Sequence, residues 1–448
     1  MREIIERAKS KGAEAYEVFV LDSVRRSVEF EASRLKNISE TEERGAALRF
    51  VKGGRVGFAT TTKLSDLDRL VDQAVATAEV GQPSEFGFAG ASGPPGIEPV
   101  DPGISGLTVD QMIERAQSAV ERISDYEKEI NVFANTTVDL QTIRVLTSEG
   151  CDASFDRTIF QFGVGGRLIE DENILDSDAY FGGTTLGADY KDLTRLAIQG
   201  FERGRTNAEI SSGPTTVVLT PRAIADVMMT LHGGMNGWWV ERGVSPLAGR
   251  IGETVFDERV SIYDDGLMDT GHESAPFDDE GVPMQRTALV EAGVLRGFLT
   301  DLRTAEKLGL PRTGNGLKVR RIVHTKDLGL VPTPDITNWE MAGGETPSDE
   351  IIAGIDDGVV VDSIMGILMS NLIAGDFSGN IALGFKIEKG KLVGRVKNAM
   401  IAGNVYKLFK NHIVAVSSDI ERAGVLGGIG SHRFPYFVLR DVSIAAKG

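Results

Sequence analysis

The stretch TTVVLTPRAIADVMMTLHGGMNGWWVERGVSPLAGR, residues 215–250, decides how this chain is read. Residues 215–219 are a β-branched apolar run, the pattern of a buried strand. Thr220-Pro221 follows, pairing a hydroxyl that can accept from the free amides of a helix start with a proline at the first helical position, where its missing N–H costs nothing. Ile224, Val227, Met228 and Leu231 then recur at helical spacing and form one apolar face. His232 falls where this helix is expected to meet Gly233, Gly234 and Gly237, and two adjacent indoles, Trp238 and Trp239, come directly after.

Outward from this segment the chain divides by composition. A short amphipathic helix (Ile4, Ile5, Ala8) ending at Gly12 precedes strand-like runs at 16–21 and 26–30. Residues 46–51 and 55–60 flank Gly53-Gly54, a pair able to supply the positive φ angles of a tight hairpin turn. Ser65, with Asp68 three residues on, is expected to cap a helix reaching Val80. Residues 81–106 are rich in Gly, Pro and Ser and read as a linker without regular structure. Thr108 opens a helix with Met112, Ile113, Ala116, Val120 and Ile123 on one face. Alternating segments near Val132, 143–146 and 159–164 then suggest an antiparallel sheet, followed by a helix over 190–203.

A second break falls at the Ser-Ser-Gly-Pro of residues 211–214. Beyond it the chain is rich in strands, with hairpin signals at residues 291–293 and 388–391 and a helix expected after Thr346-Pro347. The expected units are therefore 1–105, an N-terminal α/β domain with its linker; 106–210, a middle α+β domain; and 211–448, a large strand-rich domain carrying the helix described above. Runs of strands with a few helices and no regular βαβα alternation predict a multi-domain α+β protein with mixed and antiparallel sheets.

Composition narrows the function. Of 448 residues 41% are hydrophobic and 25% charged, and no apolar run approaches the ~20 residues of a membrane span. The charged first eleven residues lack the apolar region of a signal peptide, so a cytoplasmic protein that does not engage membranes is expected. The net charge of −17, from 65 acidic against 48 basic residues, repels a phosphate backbone and argues against nucleic-acid binding. The single cysteine, Cys151, cannot form an internal disulfide, and its neighbours Gly150 and Asp152 suggest a turn rather than an activated thiolate.

Signatures of chemistry are sparse. There is no G-x-S-x-G elbow and no P-loop, and the glycine clusters at 163–166 and 424–430 lack dinucleotide-binding spacing. None of His232, His272, His324, His412 and His432 has a second histidine at the helical spacing that places two imidazoles on one metal. His272-Glu273 looks like the start of HExxH, but Pro276 argues against the helix such a motif needs. The acidic clusters Asp264-Asp265, Asp278-Asp279-Glu280 and Asp356-Asp357 each precede a glycine. They read as turns, because none carries the acidic ladder of a calcium loop.

The order of strand, Thr-Pro-started helix, the stretch GETVFDERVSIYDDG at 252–266 and FDDEGVP at 277–283 resembles the third domain of the TldD/TldE (PmbA) peptidases. The run GDFSG at 375–379, then GFKIEKG at 384–390, Val396 and IAGN at 401–404, resembles the TldE (PmbA) branch. KGAEAYEV at 11–18 looks like the family's opening strand, and in the middle unit LTSEG at 146–150 carries a weaker likeness. The metal-bearing branch has HExxxH at this helix. Carried over residue by residue, its first histidine falls on His232, its catalytic glutamate on Gly233 and its second histidine on Gly237. A cysteine ligand of that branch corresponds to the stretch GVLGGIGSH at 424–432, near Gly427, which contains no cysteine. Glycine offers neither a ligand atom nor a proton-transfer group.

The resemblance implies a non-catalytic subunit without a cofactor of its own. Its expected partner is a TldD-like, HExxxH-bearing subunit that holds zinc, and the pair would degrade or process small or unfolded peptides. A homodimer of the isolated chain is a further expectation. His232 is then a relic or a structural hydrogen-bonding residue. Trp238 and Trp239 are candidates for a partner interface or a peptide cavity, with core packing as the alternative. Two other readings stand beside this one: an autonomous hydrolase built from scattered residues such as His232 or His272-Glu273, and a protein-level modulator of DNA gyrase, the family's older label.

Overall fold

Strand β1 (Ala15–Glu31) pairs along both edges, antiparallel to β2 (Arg34–Lys52) on one side and to β4 (Asn131–Thr147) on the other. With β3 (Arg55–Thr61), β5 (Asp152–Glu170) and β6 (Asn173–Gly183) these make a six-stranded sheet in the order β3-β2-β1-β4-β5-β6. Units 1–105 and 106–210 thus each contribute three strands to one sheet, because the amides and carbonyls of β1 need partners on both sides. The hairpin expected between β2 and β3 is present: Lys52 faces Arg55, and Gly53 and Gly54 sit at φ of 59° and 68°. This computed structural model describes residues 1–91, 93, 96–171, 173–187, 189–320, 325–424 and 430–446.

Helices α1 (Arg2–Ser10) and α2 (Leu67–Glu79) cover the β3 end of the sheet over a core of Ile4, Leu48, Phe50, Leu70 and Val71. Asp66, not Ser65, caps α2 by accepting from the Arg69 amide, which moves the expected start by one residue. The 81–106 linker holds one short helix that its composition did not suggest, α3 (Pro102–Ser105). There Asp101 accepts from the Gly103 and Leu186 amides, and a proline again follows the cap. In α4 (Val109–Tyr126) Thr108 and Gln111 form a reciprocal capping box, and α5 (Tyr190–Gly204) lies close to its expected bounds.

The third unit is built on a mixed sheet of twelve strands among the described residues, one of which, Asn207–Ala208, comes from the middle unit, and the architecture is α+β. At its centre Gly213–Leu219 runs antiparallel to His432–Ala446 and parallel to Asp357–Met365. Alternation along this strand assigns the layers: Val217 and Leu219 face the core under the deciding helix, whereas Val218 faces α4, α5 and the first sheet. Helices α4 and α5 thereby lie between the two sheets, sharing one apolar core with Phe160, Phe162, Val360, Phe385 and Val438. The expected hairpins at 291–293 and 388–391 turn through positive-φ pairs, Ala292-Gly293 and Lys389-Gly390, and a short helix follows Pro347 at Ser348–Ala353. No helix among the described residues is long and apolar enough to cross a membrane.

Candidate functional site

The deciding helix is α6 (Pro221–Met235), capped by Thr220 through the Ala223 amide and buried along most of its length. It runs further than its glycines suggest. Gly233 and Gly234 lie inside it, and the break comes at Asn236, whose side chain accepts from the Trp238 amide and starts α7 (Gly237–Glu241). His232 therefore sits in the last turn of α6, not at its end. Two of the glycines, Gly234 and Gly237, serve close packing rather than termination. A Cβ on Gly234 would collide with the Tyr406 hydroxyl, and one on Gly237 would lie 2.7 Å from the Leu299 carbonyl oxygen, which already accepts from the Gly237 amide at 2.8 Å. Gly233 differs, its nearest neighbour being Ile373 at 3.8 Å.

The His232 imidazole is half-buried, with Nε2 2.9 Å from Asp335 Oδ1 and its ring 6.4 Å from that of Trp339. A histidine in the last turn of a helix also faces the negative end of the helix dipole. The fold draws two further histidines to the same segment, a convergence that no local spacing signals. The Trp339 amide donates to His432 Nδ1 at 3.0 Å, and the His272 amide donates to Ser431. His272 Nε2 lies 2.8 Å from the Gln161 amide nitrogen, and Glu273 pairs with Arg157 at 3.5 Å. His272-Glu273 lies in a buried turn, not a helix, so it cannot present the HExxH geometry.

Among the described residues no three His, Cys, Asp or Glu side chains converge as ligands. Position 237 has no space for a side chain, and His232 is engaged by Asp335. The described residues of α6 and its surroundings do not fit a metal. Gly427 and His324 lie outside the described residues.

The FDDEGVP segment turns out to be more than a turn. Asp278 does accept from the Glu280 and Val282 amides, both at 2.9 Å, as the reading of a turn anticipated. All three acids are nevertheless buried where the third unit meets the first sheet. Arg49 of β2 pairs with Glu17 of β1 and, at 2.8 Å, with Glu280, while Lys326 pairs with Asp279 at 2.6 Å. Glu280 also accepts from the Leu302 amide at the start of helix α8 (Leu302–Leu308). Burial pushes Asp278 up to about 7, against the pull of three amides that includes Gly316, and raises Glu280 well above the usual carboxylate range. Burial also lowers Lys318, whose ammonium lies near the rings of Phe19 and Phe58, to about 8.

Trp238 and Trp239 are both half-buried and meet edge to face, with ring centroids 4.6 Å apart. The Arg242 guanidinium stacks 3.5 Å from the Trp238 centroid. Trp238 also lines a cavity of about 570 Å³ between β3 with the loop after α2 and the pair α7 and α8.

A strand-rich third unit on a mixed sheet is joined here to a first half made of one antiparallel sheet and its covering helices. The family profile described as the PmbA/TldA metallopeptidase C-terminal domain matches residues 212–446, and that of the PmbA/TldA metallopeptidase domain 1 matches residues 16–78. The chain belongs to the PmbA/TldD metallopeptidase family. An uncharacterized protein of Methanocaldococcus jannaschii is 26% identical over 95% of this chain and 96% of its own length. The metalloprotease TldD homolog of Haemophilus influenzae is 25% identical over 87% of this chain and 83% of its own length. The metalloprotease PmbA of Escherichia coli O157:H7 is 29% identical over 53% and 50%. The fold matches the crystal structure of TldE from Thermococcus kodakarensis with a TM-score of 0.88 at 21% identity, covering 99% of this chain and 100% of that one. A Thermotoga maritima protein, described as a candidate modulator of a DNA gyrase, matches with a TM-score of 0.86 at 23% identity over 99% of both chains.

Proposed function

We propose that this chain is the TldE/PmbA-like, non-catalytic subunit of a cytoplasmic heterodimeric metalloprotease that degrades or processes small or unfolded peptides. The zinc and the general base belong to a TldD-like partner carrying HExxxH. The observation that carries this reading is the state of α6. Of the three motif positions only His232 keeps a ligand atom, Gly233 has no proton-transfer group, and Gly237 is closed by the Leu299 carbonyl. A Cβ at position 237 would lie 2.7 Å from the Leu299 carbonyl oxygen, so a histidine there would require the neighbouring backbone to shift.

The test combines two measurements on the untagged chain. Elemental analysis after incubation with zinc and desalting is expected to find far less than one zinc per chain, with no peptidase activity on a denatured protein substrate. Mixing with the HExxxH-bearing relative from the same cell is expected to give a stable complex with activity. Stoichiometric zinc with activity in the isolated chain would overturn the reading.

A further inference from the structure

The cavity beside Trp238 is lined on one wall by Phe58 and Phe86 of the first unit and on the other by Trp238, and all three aromatic rings are half-buried. Three cations stand at the rim: Arg242, Arg303 and Lys307, with 39%, 29% and 33% of their side chains exposed. They share Glu241, which contacts Arg303 at 2.7 Å, Lys307 at 3.2 Å and Arg242 at 3.3 Å. The only other carboxylate pairing there among the described residues is Glu85, mostly exposed and 3.2 Å from Lys307. Asp301 also lines the cavity, but its carboxylate caps α8 through the Thr304 amide and hydroxyl. Arg49, at the floor, is bound to Glu17 and Glu280.

The cavity mouth therefore carries three cations with the rim carboxylates Glu241 and Glu85, the latter displaceable, above the buried Asp301. An apolar slot ending in guanidinium and ammonium groups, one of them held by the mostly exposed Glu85, suits an apolar group adjacent to a carboxylate that can take the place of Glu85. The chain's relatives include proteins named as metalloproteases, and a peptide ending in an apolar residue has one end of that description.

We propose that this groove binds the C-terminal end of a peptide, its last apolar side chain between Phe58, Phe86 and Trp238 and its α-carboxylate on Arg303 and Lys307 in place of Glu85. The inference rests on the reading of the chain as a peptide-handling subunit and adds to it a site and a polarity for the substrate. Such a site would register one chain end and leave the rest of the peptide extended toward other surfaces.

The test is calorimetric titration of the full-length chain, at low salt, with a hexapeptide of five alanines and a terminal phenylalanine, as the free acid and as the C-terminal amide. The free acid is expected to bind at least tenfold more tightly than the amide. Arg303→Gln and Lys307→Gln, made separately so that one unstable variant does not end the test, should each shrink that preference severalfold, and 0.5 M salt should do the same. Equal binding of acid and amide, no binding of either, or an unchanged preference in both folded variants would overturn the proposal. None of these outcomes reads zinc content or complex formation, so the subunit assignment stands or falls separately.

Discussion

Three glycines near the end of α6 look alike in sequence and differ in their surroundings. At Gly233 an added methyl group meets only ordinary contacts, the nearest at 3.8 Å, so Gly233→Ala should be neutral or stabilise by up to about 1 kcal/mol through helix propensity. At Gly237 the same methyl group would lie 2.7 Å from the Leu299 carbonyl. Gly237→Ala should therefore destabilise by about 1–3 kcal/mol, as overpacking does. Urea unfolding of the pair measures the contrast directly, and equal midpoints would show that position 237 is not closed. His232 is legible in the sequence as a histidine late in a helix, but its partner Asp335 is not, because about a hundred residues separate them and only packing brings them together.

Where β1, β2, the FDDEGVP turn and the start of α8 meet, the junction is held by buried charge. Arg49→Met leaves Glu17 and Glu280 buried without their cation, and should cost about 3–5 kcal/mol in chemical unfolding, far more than removing an exposed pair such as Arg167–Asp176. The same element sets a pH dependence. Asp278 titrates at about 7 when folded and about 4 when unfolded, so the folded state binds the extra proton. The stability this contributes is fully present below pH ~4 and is lost as pH rises through ~7. Asp278→Asn should flatten the decline of urea midpoints between pH 5 and 8. The slope should be reduced rather than abolished, because burial raises Glu280 in the same direction.

At the scale of the molecule, one sheet drawing three strands from each side of the linker, two helices between sheets and a buried ionic junction tie the first half to the third unit. If the chain is a structural partner, a small loss in this frame should weaken assembly before it affects any chemistry. Light scattering of the isolated chain is expected to give a homodimer that converts to a heterodimer on titration with the HExxxH-bearing relative. Arg49→Met should lower the fraction converted, and full conversion by that variant would separate the junction from assembly.

Local patterns in this chain carried the element types and their ends. Thr220-Pro221 marked a helix start, Gly53-Gly54 a hairpin, and the α+β class followed from the order of such signals, since caps, turns and side-chain periodicity are decided within a few residues. That Gly233 and Gly237 offer neither a ligand atom nor a proton-transfer group was equally plain, because it is a matter of which atoms are present. Only the tertiary structure decided that β1 joins both halves of the first sheet, that Asp278, Asp279 and Glu280 are buried, and that Trp238 faces a groove between units. Burial and long-range pairing depend on which distant surfaces meet, and a turn-forming acidic triplet has the same local signature whether water or an arginine from another strand lies against it.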